Sequence, residues 1–150
     1  GVYALPDLSA VTGGYLYSDL GGMTHSAIEE QSDKYFLETA TKEELELLDA
    51  QAQKMEAISE FDWARVLEQD NDHIYFYAWA VDSQARGTGA LRKLLTPIFK
   101  YADEHNLNCY LDCYADRLQH MYEHLGFELI DELHSPDFEV YERRMIRMPR

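Results

Sequence analysis

The sequence predicts an α/β fold of the α+β kind, a twisted mixed β-sheet flanked by helices. Three observations carry that prediction. Residues 73–81, HIYFYAWAV, form an aromatic and β-branched run that reads as a strand. A glycine turn over Gln84–Gly89 leads from it into Ala90–His105, where Leu91, Leu94, Leu95, Ile98 and Ala102 recur at helical spacing. A further strand-like run, Asn108–Tyr114, comes next, and two more close the chain.

Taken in order, Val2–Leu5 and Ala10–Tyr17 read as short strands parted by Pro6-Asp7, and Gly21-Gly22 breaks the pattern. Thr24–Phe36 is weakly helical. Thr41–Glu68 is the longest helical stretch, opened by a capping box in which Thr41 and Glu44 satisfy each other's free backbone N–H. Leu45, Leu48, Ala52 and Met55 follow at helical spacing. Four acidic residues in the ten from Glu43 suit a solvated face near a helix N-terminus. Pro97 removes one hydrogen bond from the helix at 90–105 and should kink it. Asp116–Leu125 is a short helix with Gly126 as its C-cap. Phe127–Leu133 and Phe138–Met148 read as an antiparallel pair, the last strand arginine-rich and expected near a sheet edge.

With 150 residues, 46% of them hydrophobic, the chain is sized for one domain with a core of its own. No apolar run approaches the ~20 residues of a membrane span. The net charge of −15 opposes nucleic acid and anionic membrane surfaces as partners. That charge is uneven. Residues 1–85 carry 4 basic and 17 acidic side chains, and residues 86–150 carry 9 and 11, so an anionic ligand belongs to the second half. Cys109 and Cys113, four apart in a strand, lie ~13 Å apart and cannot form a disulfide with each other. Free thiols suit the cytoplasm. The chain opens at Gly1 directly on a strand-like run, from which we expect a segment upstream of it.

The chemistry concentrates at Arg86-Gly87-Thr88-Gly89-Ala90, between a strand and a helix start. Glycines let backbone approach an anion, and the free N–H groups of a helix N-terminus point at it. Arg86, Arg92 and Lys93 surround the turn in a chain short of positive charge. A dinucleotide-binding turn would require a third glycine where Arg92 stands, and no Walker loop is present.

Val81-Asp82-Ser83-Gln84-Ala85-Arg86-Gly87-Thr88-Gly89-Ala90-Leu91 resembles the acyl-CoA pyrophosphate loop of the GNAT acetyltransferases, matching at Val81, Arg86, Gly87 and Gly89. It departs at Ser83 and Leu91, where Pro and a small residue are usual. Tyr110-Leu111-Asp112 and Met121-Tyr122-Glu123-His124-Leu125-Gly126-Phe127 resemble the family's next strand and helix end. His73-Ile74-Tyr75-Phe76 and Met145–Pro149 resemble the puromycin N-acetyltransferase-like branch. The resemblance implies a GNAT-like fold in which the strand at 73–81 and that at 108–114 splay apart around pantetheine. The backbone of Ala80 and Val81 would bond the pantetheine, and Arg86, Gly87, Thr88, Gly89 and Ala90 would hold the pyrophosphate. Tyr122 would protonate the departing thiolate, a role within reach of a phenol of pKa ~10. Leu118 stands where the family has an asparagine. The family's first strand and two helices have no counterpart, so we expect a single domain over 1–150 that is N-terminally incomplete.

The expected function is transfer of acetyl from acetyl-CoA, a co-substrate, to the amine of a small and cationic molecule in a ternary complex. For the general base, Asp112 leads over His73, Tyr75 and Tyr77. No metal is expected, nor nucleic acid or membrane as a partner, and a homodimer is one assembly left open. Two alternatives stand beside this reading. One is a GNAT-fold domain that binds CoA or a partner without turnover. The other is a zinc hydrolase, since His120-Met121-Tyr122-Glu123-His124 spells H-x-x-E-H.

Overall fold

The computed structural model describes residues 1–56, 63–135 and 138–150. Its elements are β1 (Val2–Ala4), β2 (Ala10–Leu16), α1 (His25–Thr39), α2 (Lys42–Glu56), α3 (Trp63–Gln69), β3 (His73–Val81), α4 (Ala90–Glu104), β4 (Asn108–Cys113), α5 (Asp116–Glu123), β5 (Glu128–Ser135) and β6 (Phe138–Arg147). The strands form one six-stranded sheet in the order β1-β2-β3-β4-β6-β5. Only β3 and β4 run parallel, with α4 as the crossover that a parallel pair requires. The predicted mixed α/β architecture is therefore the observed one.

Alternation sorts the strand side chains onto two faces. On one, Ile74, Phe76, Cys109, Leu111 and Met145 meet Leu95 and Ala102 of α4 and Tyr122 of α5. On the other, Tyr75, Tyr110 and Ile146 meet Val66 and Leu67 of α3. The α4 helix runs on through Pro97, whose missing hydrogen bond is offset by burial of Leu94 and Leu95 just before it and of Ala102 beyond it. Cys109 and Cys113 are buried free thiols, as their spacing predicts. Burial pushes the Cys109 thiol up to about 12.

The capping box forms as written: the Thr41 N–H donates to Glu44 Oε2 at 2.7 Å, and the Glu44 N–H to Thr41 Oγ1 at 3.3 Å. The long predicted helix divides into α2 and α3, and residues 57–62 between them lie outside the described residues, as do the side chains of Ala52 and Met55. Helix α5 ends in a Schellman motif. The Phe127 N–H bonds the Tyr122 carbonyl at 3.0 Å, the Gly126 N–H bonds that of Glu123 at 2.9 Å, and Gly126 takes φ 96°. The motif turns Phe127 inward, 6.4 Å from the Tyr122 ring between centroids.

The arginine-rich last strand, β6, lies near the sheet edge as expected, between β4 and the edge strand β5. The β5–β6 hairpin folds back so that β6 inserts against β4, and β5 becomes the edge. Its arginines are buried because acids meet them: Arg143 meets Asp116 and Glu132, Arg144 meets Glu142, and Arg147 meets Asp103.

Candidate active site

The β3–β4 pairing runs from His73↔Asn108 to Phe76↔Leu111 and stops. Beyond it β3 continues to Val81 paired only with β2, while β4 continues to Cys113 paired only with β6. The strands part there, and the edge of β3 that faces β4 is open from Tyr77 onward. A bulge marks the point of parting. Gly13 pairs with Ala78 but Gly14 with Phe76, which leaves Tyr77 as the extra residue. It brings Phe76 and Trp79 to the same face, with their rings 5.2 Å apart. Both glycines serve this geometry. A Cβ on Gly13 would overlap the Tyr77 ring, and one on Gly14 would come within 2.7 Å of the Tyr75 carbonyl oxygen.

The cleft between the parted strands has a volume of about 60 Å³. Phe76, Trp79, Leu111 and Tyr122 line it towards α4 and α5, and Tyr77, Ala78 and Asp112 line it as well. A larger hollow of about 730 Å³ lies between α4 and β1–β2, but it holds none of the predicted site residues. Tyr122 is 8% exposed, and its ring meets that of Trp79 edge-on at 5.0 Å. Burial, with a smaller contribution from Cys113, raises its phenol above the ordinary value, so the O–H keeps its proton. Asp112 lies opposite Arg144 across the β4–β6 ladder and accepts a hydrogen bond from the Tyr75 hydroxyl at 2.6 Å.

The loop follows from the end of β3. The Asp82 side chain accepts from the Gln84 N–H at 2.7 Å, a short 3-10 turn covers Ser83–Ala85, and the Thr88 hydroxyl donates to the Ala85 carbonyl at 2.6 Å. Gly87 and Gly89 hold φ 76° and 84°, a conformation other residues rarely adopt. The first bond of α4 runs from the Lys93 N–H to the Gly89 carbonyl, which leaves the N–H groups of Ala90, Leu91 and Arg92 without an intrahelical acceptor. No side chain caps them. Arg86, Arg92 and Lys93 are exposed around this end.

The predicted residues thus fall into three groups along one open strand edge. Tyr122 and Asp112 share the cleft, Ala80 and Val81 lie further along β3, and Arg86, Gly87, Thr88 and Gly89 stand exposed at the start of α4. Ala90 is buried against Val81 and Leu94, so only its N–H can face a ligand. Leu91 and Leu118, the two departures from the family pattern, pack against the main core. His73 is fully buried and bonded to His25, which removes it from the base candidates. His120 and His124 turn their Nδ1 atoms back to the carbonyls of Asp116 and His120, and among the described residues no three His, Cys, Asp or Glu side chains could hold a metal ion. Sequence reasoning missed Trp79, for which the only signal was its place in the aromatic run. It also missed the Tyr75–Asp112 bond, which joins residues 37 apart.

Acetyl-CoA fits this arrangement on two observations. The open β3 edge offers backbone groups to an extended, amide-bearing chain. The Trp79 indole nitrogen is buried without a hydrogen-bond partner among the described residues, a donor costing about 1–3 kcal/mol unless an acceptor meets it.

Comparison with known proteins agrees. A sequence profile of the acetyltransferase (GNAT) family matches residues 27–127. An uncharacterised N-acetyltransferase of Schizosaccharomyces pombe is 38% identical over 65 residues, 43% of this chain, and the match spans only 26% of that protein's length. The polyamine N-acetyltransferase of Drosophila melanogaster, which forms N-acetylagmatine, shares the fold with a TM-score of 0.56 at 16% identity, over 94% of this chain and 69% of that one. Arylalkylamine N-acetyltransferase 2 of Aedes aegypti does so with a TM-score of 0.58 at 14% identity, over 98% and 71%.

Proposed function

The chain belongs to the acetyltransferase (GNAT) family, and we propose that it moves an acetyl group from acetyl-CoA directly to the amine of a small cationic molecule. The observation that carries this reading is the cleft between β3 and β4, which Tyr122 and Asp112 line together. Acetyl-CoA would supply the acyl group as an activated thioester. Arg86, Gly87, Thr88, Gly89 and the Ala90 N–H would hold the pyrophosphate, with the fixed positive end of α4 favouring its charge. The open edge at Ala80 and Val81 would bind the pantetheine arm.

Tyr122 presents a protonated O–H to the sulfur that departs. Its raised pKa keeps the proton in place until negative charge develops there. Asp112, hydrogen-bonded by Tyr75, attracts the ammonium of the acceptor and takes one proton from it, which frees the nitrogen lone pair to attack the thioester carbonyl. The second N–H proton leaves to solvent as the tetrahedral intermediate expels the thiolate, which Tyr122 protonates. A chain of net charge −15, most of it in the first 85 residues, favours a cationic acceptor and disfavours an anionic one.

Calorimetric titration of acetyl-CoA into this chain should give a 1:1 complex with a Kd of about 1 μM. A transfer assay should then show turnover of agmatine and spermidine well above that of a neutral aromatic amine or of glutamate. Equal rates for all of them would remove the cationic acceptor. Binding of acetyl-CoA without transfer to any amine would leave a CoA-binding domain in place of the enzyme.

A further inference from the structure

Tyr75 lies near the end of the paired stretch of β3, opposite Tyr15 on β2 and Tyr110 on β4. Its hydroxyl donates to Asp112 Oδ2 at 2.6 Å. Its ring is held from behind. The Tyr15 ring lies 5.5 Å away, and the His25 ring, at the start of α1, meets it edge-on at 5.6 Å. His25 is 4% exposed and belongs to a buried polar cluster: its Nδ1 lies 2.5 Å from the Tyr15 hydroxyl and its Nε2 lies 2.8 Å from His73 Nε2. Tyr17 stacks on both imidazoles. Burial lowers both histidines, His25 to about 4, so the cluster is uncharged at neutral pH.

Arg144 stands directly across the β4–β6 ladder from Asp112, and its guanidinium meets Glu142 Oε1 of its own strand at 3.2 Å. The Tyr75 hydroxyl reaches Asp112 from the other side, that of β3.

We propose that Tyr75 is a positioning residue, whose hydroxyl holds the Asp112 carboxylate at the cleft and whose ring is set by the buried Tyr15–His25–His73 cluster. The helical excursion between β2 and β3 is thereby tied to the acceptor side of the site through His25. This inference rests on the reading of Asp112 as the group that takes the acceptor's proton.

The test is Tyr75→Phe, which keeps the ring and removes only the O–H. The charged and titratable groups around Asp112 are Tyr75 and Tyr77 from β3, Tyr110 and, just beyond β4, Tyr114, Arg144 and Glu142 from β6, and Tyr122 from α5. Of these only Tyr75 changes. A hydrogen bond to the ionised form lowers a carboxyl pKa. Carboxyl-carbon NMR of the free protein should therefore show Asp112 titrating higher in Tyr75→Phe than in the wild type. The acidic limb of kcat/KM for agmatine should move up with it, while the Kd for acetyl-CoA stays the same. An unchanged Asp112 titration would overturn the inference, as would a loss of acetyl-CoA affinity in parallel with activity. Asp112→Asn separates the two readings. If it is inactive while Tyr75→Phe titrates like the wild type, only the positioning role fails. If Asp112→Asn is fully active, the base assignment fails first.

Discussion

Tyr122 is a core residue and, in the proposed reaction, the proton donor. Its ring closes the core against Trp79 and Phe127, and its O–H borders the cleft. Phenylalanine separates those roles. In Tyr122→Phe the Tm should stay close to that of the wild type, and kcat for acetyl transfer should fall about 10²-fold or more, with little change in the affinity for acetyl-CoA. Because burial raises the phenol, any alkaline loss of wild-type activity that depends on Tyr122 should begin above the pH expected of an exposed tyrosine. Steady-state kinetics across pH check both. Tyr122 was legible in the sequence through the resemblance of Met121–Phe127 to the family's helix end, a continuous run of residues closed by Gly126. Tyr75 as the partner of Asp112 was not legible, because nothing local links two strands joined through a helix.

At the scale of the element, the bulge in β3 and the glycines of β2 act together, and they differ in what replacement would cost. An added methyl on Gly13 meets the far end of the Tyr77 side chain, which is 57% exposed and free to swing. On Gly14 it meets the backbone of Tyr75. Gly14→Ala should therefore cost about 1–3 kcal/mol of stability, since only a shift of strand β3 relieves the overlap. Gly13→Ala should cost much less, yet lower turnover by moving Tyr77 at the mouth of the cleft. Urea unfolding of both variants, beside transfer rates, distinguishes the two effects. The strands themselves were readable from aromatic and β-branched runs, and β3 matches its expected bounds, His73–Val81. The bulge was not readable, because it is a property of the pairing between β2 and β3 and not of either run.

For the whole molecule, the surplus of acid is partly structural. Arg147 of β6 binds Asp103 near the end of α4 through two bonds, at 2.8 and 2.9 Å, and the Arg150 N–H adds a third at 3.1 Å. The Arg147 hydrogen bonds are the largest cause that holds the Asp103 carboxyl below its ordinary value. A carboxyl lowered by folding stabilises the fold above its unfolded pKa of about 4, and that contribution is lost as pH falls through the lower folded value. Asp103→Asn should thus be less stable than the wild type at neutral pH, and the gap should close as the pH falls below about 4. Paired urea titrations at neutral and acid pH measure it. Read alone, four arginines in the last eight residues look solvated, but each buried one is met by an acid: Arg143 and Arg147 by Asp116 and Asp103, distant in sequence, and Arg144 by Glu142 of its own strand.

The sequence by itself determined the elements, the mixed α/β class and the phosphate-type loop, because helix periodicity, strand runs, caps and glycine turns are set within about a dozen neighbouring residues. It also determined that Tyr122 and the loop belong to one family pattern. Tertiary structure alone decided where β3 and β4 part, that β6 lies inside the sheet, that Tyr75 bonds Asp112, and that Trp79 lines the cleft. Those outcomes depend on which strands pair and in what register, and pairing energy comes from contacts between residues far apart in the chain. A local pattern can name the side chains that suit a site, but only the closed sheet brings Asp112 and Tyr122 to one cleft.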